Sequence, residues 1–252
     1  MPVYDDAASD RDLIFQGAAV GGVGIAKPGH TLAEQAYAKL KRDIVGCRHR
    51  PGSLINEGEL AALYGMSKTP IREALSLLER EGFIQVLPRR GTLVKTIELE
   101  DIQNTFLLRM LIEPESAALA ASRGTTQQLK VISETSDAVG TKRRSNAGAE
   151  QLTAHRLFHE AIAEASGIRE MVTLVRSLHD KVEWFYNYER VPTAHSSGDN
   201  NGDLASAICA GDADRARSLA AESIRLARQH LIDVLIREPQ LSAVVGAQTA
   251  IA

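Results

Sequence analysis

The sequence predicts a mainly α protein in two parts: three helices closed by one β-hairpin, then a larger unit of helices alone. Three observations carry this. Apolar residues recur at helical spacing over residues 31–80, and a strand-like pattern appears only in IQVLPRRGTLVK, Ile84 to Lys95. From about Glu98 to Arg237 every block is helical and no strand pattern appears.

The first helix, TLAEQAYAKLKRDIVG, opens with Thr31 and Glu34 in a capping-box arrangement and aligns Leu32, Ala36, Tyr37, Leu40 and Ile44 on one face. In EGELAALY the apolar Leu60, Ala61, Leu63 and Tyr64 share a face, and Gly65 follows where the chain needs a left-handed residue. Thr69 is the expected N-cap of the next helix, with Pro70 at its first position. Ile71, Ala74, Leu75 and Leu78 then point inward, while Lys68 and Arg72 lie on the opposite face. Arg89, Arg90 and Gly91 occupy the tip of the hairpin.

Alone, residues 57–82 read equally well as an ordinary helical hairpin with a solvated face. The flanking helix and the basic hairpin tip make the order that of a winged helix-turn-helix, which presents the start of its second helix to the DNA major groove. Residues 31–96 carry 11 Lys/Arg against 7 Asp/Glu, a net of +4, whereas the whole chain is −3. A basic module in a mildly acidic chain is the electrostatic footprint of DNA contact.

The run RPGSLINEGELAALYGMSKTPIREALSLLEREGFIQVLPRRGTLV resembles the GntR family of bacterial transcription regulators. The resemblance rests on Pro51-Gly52, the stretch Ser67 to Leu75, LEREG at Leu78 to Gly82, and Arg89 to Gly91. It implies DNA contacts from Ser67, Lys68, Thr69 and Arg72, and from the wing residues Arg89, Arg90 and Gly91. Two departures bear on operator preference: Lys68 stands where the family usually has Arg, and Gly58 where an Arg is frequent. Lys lacks the planar fork that holds guanine O6 and N7 together.

The remaining composition excludes other classes. There is no apolar run near membrane-spanning length, and MPVYDDAASDRD lacks the pattern of a secretory signal, so a soluble cytoplasmic protein is expected. Cys47 and Cys209 fall in separate parts and read as reduced, structural thiols. Residues 1–30, including the glycine-rich GAAVGGVGIAKPGH, read as a mobile arm, and residues 239–252 as a loose tail. The DNA-binding part is placed at 31–96 and the effector and dimerisation part at 97–238.

The second part is expected to form a six-helix bundle over 99–122, 125–145, 149–166, 168–190, 200–210 and 212–237. It resembles the FCD ligand-binding domain of the FadR-type branch, in its VanR-like subgroup, on LLRMLIEPESAALAA, HRLFHEAIAEASG and AICAGDADRARSLA. His155 and His159 fall on one inward stripe with Leu152 and Ile162, a spacing at which two histidines chelate one divalent metal or hydrogen-bond in a core. The family resemblance implies Asp, His, His and His at positions that here are His155, His159, Asn201 and Ser223. A neutral amide and a hydroxyl replace imidazole poorly, so no metal cofactor is expected; His195 in a loop and His230 two turns past Ser223 do not restore the set.

The expected effector is instead a small organic acid. Arg109 matches a family Arg that holds carboxylates, with His155, His159, Asn201 and Ser223 as neutral partners. The alternative for Arg109 is an i, i+4 ion pair with Glu113 on a solvated or interface surface. Trp184, Tyr186 and Tyr188 read as core or dimer contacts, or as pocket lining. A single recognition helix reads few base pairs, so a homodimer on a palindromic operator is expected, acting as a repressor released by ligand. Two rivals are a metal-dependent hydrolase using His155 and His159 with Glu160 or Glu164, and an architectural DNA-binding protein without a ligand. HRLFHE lacks the internal Glu of H-E-x-x-H, since Arg156 stands there.

Overall fold

A computed structural model of the chain describes residues 31–144, 148–189 and 200–237, apart from the side chains of 149 and 234–237. The expected arm over 1–30, the loop containing His195 and the tail over 239–252 lie outside the described residues.

The basic module comprises α1 (Leu32–Val45), β1 (Leu54–Ile55), α2 (Glu57–Tyr64), α3 (Lys68–Arg80), β2 (Ile84–Leu87) and β3 (Gly91–Val94). The strands form an antiparallel sheet in the order β1–β3–β2, with Leu54 opposite Leu93 and Ile84 opposite Val94. The hairpin was readable from sequence. The two-residue β1 was not, because a strand that short has no periodicity to detect. Leu40, Ile44, Ile71, Leu75, Leu78 and Phe83 are fully buried and form the core of this module.

Local chemistry sets the helix ends. Asn56, not foreseen as a cap, accepts from the Gly58 and Glu59 amides at the start of α2, and Gly65 ends that helix at φ 65°. α3 begins at Lys68 after Ser67, two residues earlier than expected, so Thr69 lies inside the helix and is not its cap. Pro70 is tolerated there because the whole first turn lacks intrahelical acceptors for its amides. Leu63 is 67 % exposed rather than buried. It lies about 100° from the centre of the face formed by Leu60, Ala61 and Tyr64. Leu32, the first residue of α1, is also exposed.

The second part contains the six expected helices: α4 (Leu99–Arg123), α5 (Thr126–Arg144), α6 (Gly148–Ala165), α7 (Arg169–Glu189), α8 (Asn201–Cys209) and α9 (Ala213–Arg237). α9 lies along α4, α5 pairs with α6, α7 packs on both α4 and α6, and α8 touches α5 and α9. Phe158, Ile132, Leu204 and Ile208 are buried among alanines in one core. Small side chains let these helices approach closely.

The two parts share a second core through α7. Phe83 meets Trp184 with ring centroids 5.1 Å apart, and Val182, Phe185 and Tyr186 join the buried cluster that runs into α1 and α3. Trp184 and Tyr186 are therefore core residues, with Tyr188 packed at the edge. Polar contacts fix the same seam: Lys41 Nζ lies 2.7 Å from Asp180 and 2.8 Å from Glu81, and Asn187 donates to the Val45 carbonyl. Burial alone would lower the Lys41 pKa, but Asp180 outweighs it and raises the ammonium above its ordinary value. Asp180→Asn leaves this cation half compensated and is expected to destabilise the protein by about 1–3 kcal/mol in denaturant unfolding. An unchanged midpoint would contradict the role of this contact.

Candidate functional site

The residues expected to contact DNA sit at the start of α3 and at the wing tip. Ser67, Lys68 and Thr69 are exposed at the start of α3, with Arg72 one turn further on the same side. Arg72 Nε donates to Glu57 Oε2 at 2.7 Å, which orients its guanidinium across the α2–α3 junction. Lys68, Arg89 and Arg90 make no ion pair among the described residues and remain available to phosphates. Lys68 also passes near Gly58, where an added Cβ would lie 4.0 Å from Lys68 Cε.

The wing tip is a turn closed by the Arg90 amide on the Leu87 carbonyl, with Pro88 in the first central place and Arg89 at φ 62°. Left-handed conformation is unusual for arginine and costs about 1 kcal/mol, and it holds Arg89 at the extreme of the hairpin. Gly91 follows at φ 104°, closing the turn into β3.

A second polar cluster is buried where α4, α6 and α7 meet. Arg109 and Glu113 form the i, i+4 pair read as one alternative, at 2.6 Å from Nε to Oε1, but both are almost wholly buried and not on a surface. His159 Nδ1 lies 2.8 Å from Glu113 Oε2, and His179 Nε2 lies 3.1 Å from Oε1. Because a carboxylate only accepts, both ring nitrogens donate, and with Arg109 Nη2 at 3.4 Å the carboxylate has four donors. His159 stacks on His179 with ring centroids 4.7 Å apart, and His155 lies tilted beside them at 4.6 Å from His159 and 5.9 Å from His179.

Electrostatics follow from this packing. Burial would raise the Glu113 carboxyl, but Arg109, then His179 and His159, outweigh it and hold it well below the usual carboxylate range. Burial, then neighbouring His159 and His179, push His155 far below an ordinary histidine. Burial and Arg109 push His179 down to about 3, against the pull of Glu113. The Arg109 and Glu113 charges cancel, and His155 and His179 are neutral at physiological pH.

Glu113 and His179 are the residues that sequence reading missed as site members. Glu113 was considered only as a surface partner, and His179 sits in an aromatic-rich helix with no motif around it. Asn201 and Ser223 are buried on α8 and α9, but neither hydrogen-bonds to the histidines. Asn201 Oδ1 and His159 Nε2 are buried without hydrogen-bond partners. The hydrolase reading finds no support: Glu160 is held by Arg156 and Arg176, and Glu164 lies 3.9 Å from Arg176.

Known proteins resemble this chain in sequence and fold. Residues 32–94 match the family of bacterial regulatory proteins named gntR, and residues 104–226 match the FCD domain. The chain joins a gntR-family DNA-binding domain to an FCD domain. It is 31 % identical over 140 residues to the Nta operon transcriptional regulator of Aminobacter aminovorans, covering 56 % of this chain and 66 % of that protein. It is 37 % identical over 101 residues to the transcriptional repressor RspR of Escherichia coli K12, covering 40 % and 44 % respectively. These matches span less than two thirds of either relative's length. Among solved structures, E. coli McbR/YncC aligns at TM-score 0.70 and 25 % identity, covering 83 % of this chain and 99 % of that one. Family and relatives are regulators that bind DNA, not enzymes, and no described helix is long and apolar enough to cross a membrane.

Two predictions follow from the buried cluster. Glu113→Gln leaves Arg109 charged and buried without its partner, so a loss of about 3–5 kcal/mol is expected in equilibrium unfolding. Adding Arg109→Met should cost much less than a second loss of that size, and full additivity would contradict the pairing. The unfolded chain protonates His179 below about 6.5, whereas the folded chain resists until about 3. Stability is therefore complete above pH 6.5 and declines as pH falls through this window, and Glu113 adds to the decline below 4.5. A thermal midpoint that stays level from pH 7.5 to pH 5 would contradict this.

Proposed function

We propose that the protein is a ligand-responsive transcription repressor that binds a palindromic operator as a homodimer and releases it when a small organic acid enters the FCD domain. The observation that carries the reading is α7, which places His179 in the buried cluster and the adjacent Asp180 on Lys41 of the DNA-binding module. A ligand that displaces α7 at His179 acts directly on the seat of α1. Coupling of this kind requires unequal ligand affinity for two head arrangements.

Effector contacts are assigned to Arg109, His155, His159, Asn201 and Ser223, with the orphan acceptors on His159 and Asn201 reading hydroxyl or amide groups of the acid. Family resemblance supports a metal at the positions of His155, His159, Asn201 and Ser223. The residues present do not fit that set, since an amide and a hydroxyl stand in for two imidazoles. A repressor role is supported by the name of RspR, and control of an operon by the name of the Nta regulator. Dimerisation is supported by Leu107, Leu108 and Leu111, exposed together on α4, and by exposed Leu174 on neighbouring α7. A cytoplasmic location fits these roles.

Gel-shift titration on the protein's own upstream region, with and without a panel of carboxylates, tests the reading. Ligand-sensitive retardation is expected, while retardation insensitive to every acid would favour the architectural alternative. Lys68→Ala and Arg89→Ala should each weaken binding and lower the salt slope by roughly one. Leu107→Glu with Leu111→Glu should give a monomer in analytical ultracentrifugation; a persistent dimer would contradict the assigned interface.

A further inference from the structure

Charge accounting in the buried cluster leaves the acid without a counter-ion. Arg109 is already neutralised by Glu113 at 2.6 Å, and His159 and His179 both turn a ring nitrogen to that same carboxylate. A carboxylate entering such a site would be a buried anion with no unpaired cation facing it. The same cluster contains the means to supply one. Donor atoms of Glu113, His159 and His179 lie within 4.8 Å of one another, all three residues being buried on different helices. The Glu113-to-His159 and Glu113-to-His179 separations, 2.8 and 3.1 Å, match the roughly 3 Å between adjacent ligands that each sit about 2.1 Å from a metal.

We propose that Glu113, His159 and His179 hold one divalent transition-metal ion, replacing the family set in which Asn201 and Ser223 would have to serve. Two imidazoles and one carboxylate suit zinc, nickel, cobalt or ferrous iron, and leave positions open for a ligand carboxylate. Arg109 stays on Glu113 as the outer partner that orients it. Each imidazole binds in its neutral form, the metal taking the nitrogen that now faces Glu113 and the proton moving to the other ring nitrogen. On His159 that is Nε2, which has no hydrogen-bond partner to lose. The ion then provides the positive charge that an acid effector meets. This last step rests on the proposed acid effector; the metal site itself does not.

The test uses the full chain, stripped with a chelator and titrated with Co2+ alone, followed by calorimetry and by the visible d–d absorption of the ion. One equivalent per protomer is expected. His179→Gln should weaken binding at least about tenfold, the range seen even for outer-sphere changes. Paramagnetically shifted proton resonances of the wild-type Co2+ protein should report two ligated imidazoles, and their loss of one in His179→Gln identifies it. That spectrum serves if the variant does not fold. No binding by wild type overturns the site, as does binding that survives His179→Gln or falls instead with Ser223→Ala or His155→Gln. Carboxylates are then added to the Co2+ protein as a separate arm. If they fail to bind there, the acid reading falls while the metal site stands.

Discussion

A carboxylate with almost no contact with water must be surrounded by donors, and Glu113 imposes that requirement on three helices at once. α4 supplies Arg109, α6 supplies His159 and α7 supplies His179, so the angles between these helices are constrained by one side chain. The arrangement is unforgiving, since a partly satisfied buried network is worse than an apolar one. It also explains why the neutral imidazole of His179 faces an ionised acid. Arg109 already supplies the charge that Glu113 needs.

α7 extends this constraint to the DNA-binding module. Consecutive residues on one helix face two sites: His179 meets Glu113, and Asp180 meets Lys41, which also holds Glu81 at the end of α3. Further along, Trp184 packs on Phe83 and Asn187 caps the Val45 carbonyl. Recognition helix, wing and buried cluster thus share a rigid connector rather than a flexible linker. A shift of α7 by a fraction of an ångström cannot be absorbed locally, because its stretch from Leu178 to Tyr186 is close-packed.

Much of this was legible in the sequence because helical periodicity is local information. The six helices of the second part, the Gly65 stop and the basic wing all rest on residues within a few positions of one another. What was not legible depends on tertiary neighbours. Arg109 and Glu113 were visible as a pair, but whether that face of α4 is solvated depends on α6 and α7 covering it. His179 lies 20 residues from His159 on another helix, and no spacing rule joins them. β1 escaped because it is held by β3 rather than by its own pattern. Leu63 was misplaced because an eight-residue helix has too few apolar positions to define the centre of its face.

The central claim is that the buried cluster and the DNA-binding head are coupled through α7. Amide hydrogen exchange across α7, with and without DNA from the protein's own upstream region, tests it most directly. Bound DNA should change protection around Leu178–Glu183, far from any nucleotide, together with the segment of α4 at Arg109–Glu113. Protection confined to α2, α3 and the wing, with α7 unaltered, would contradict the account.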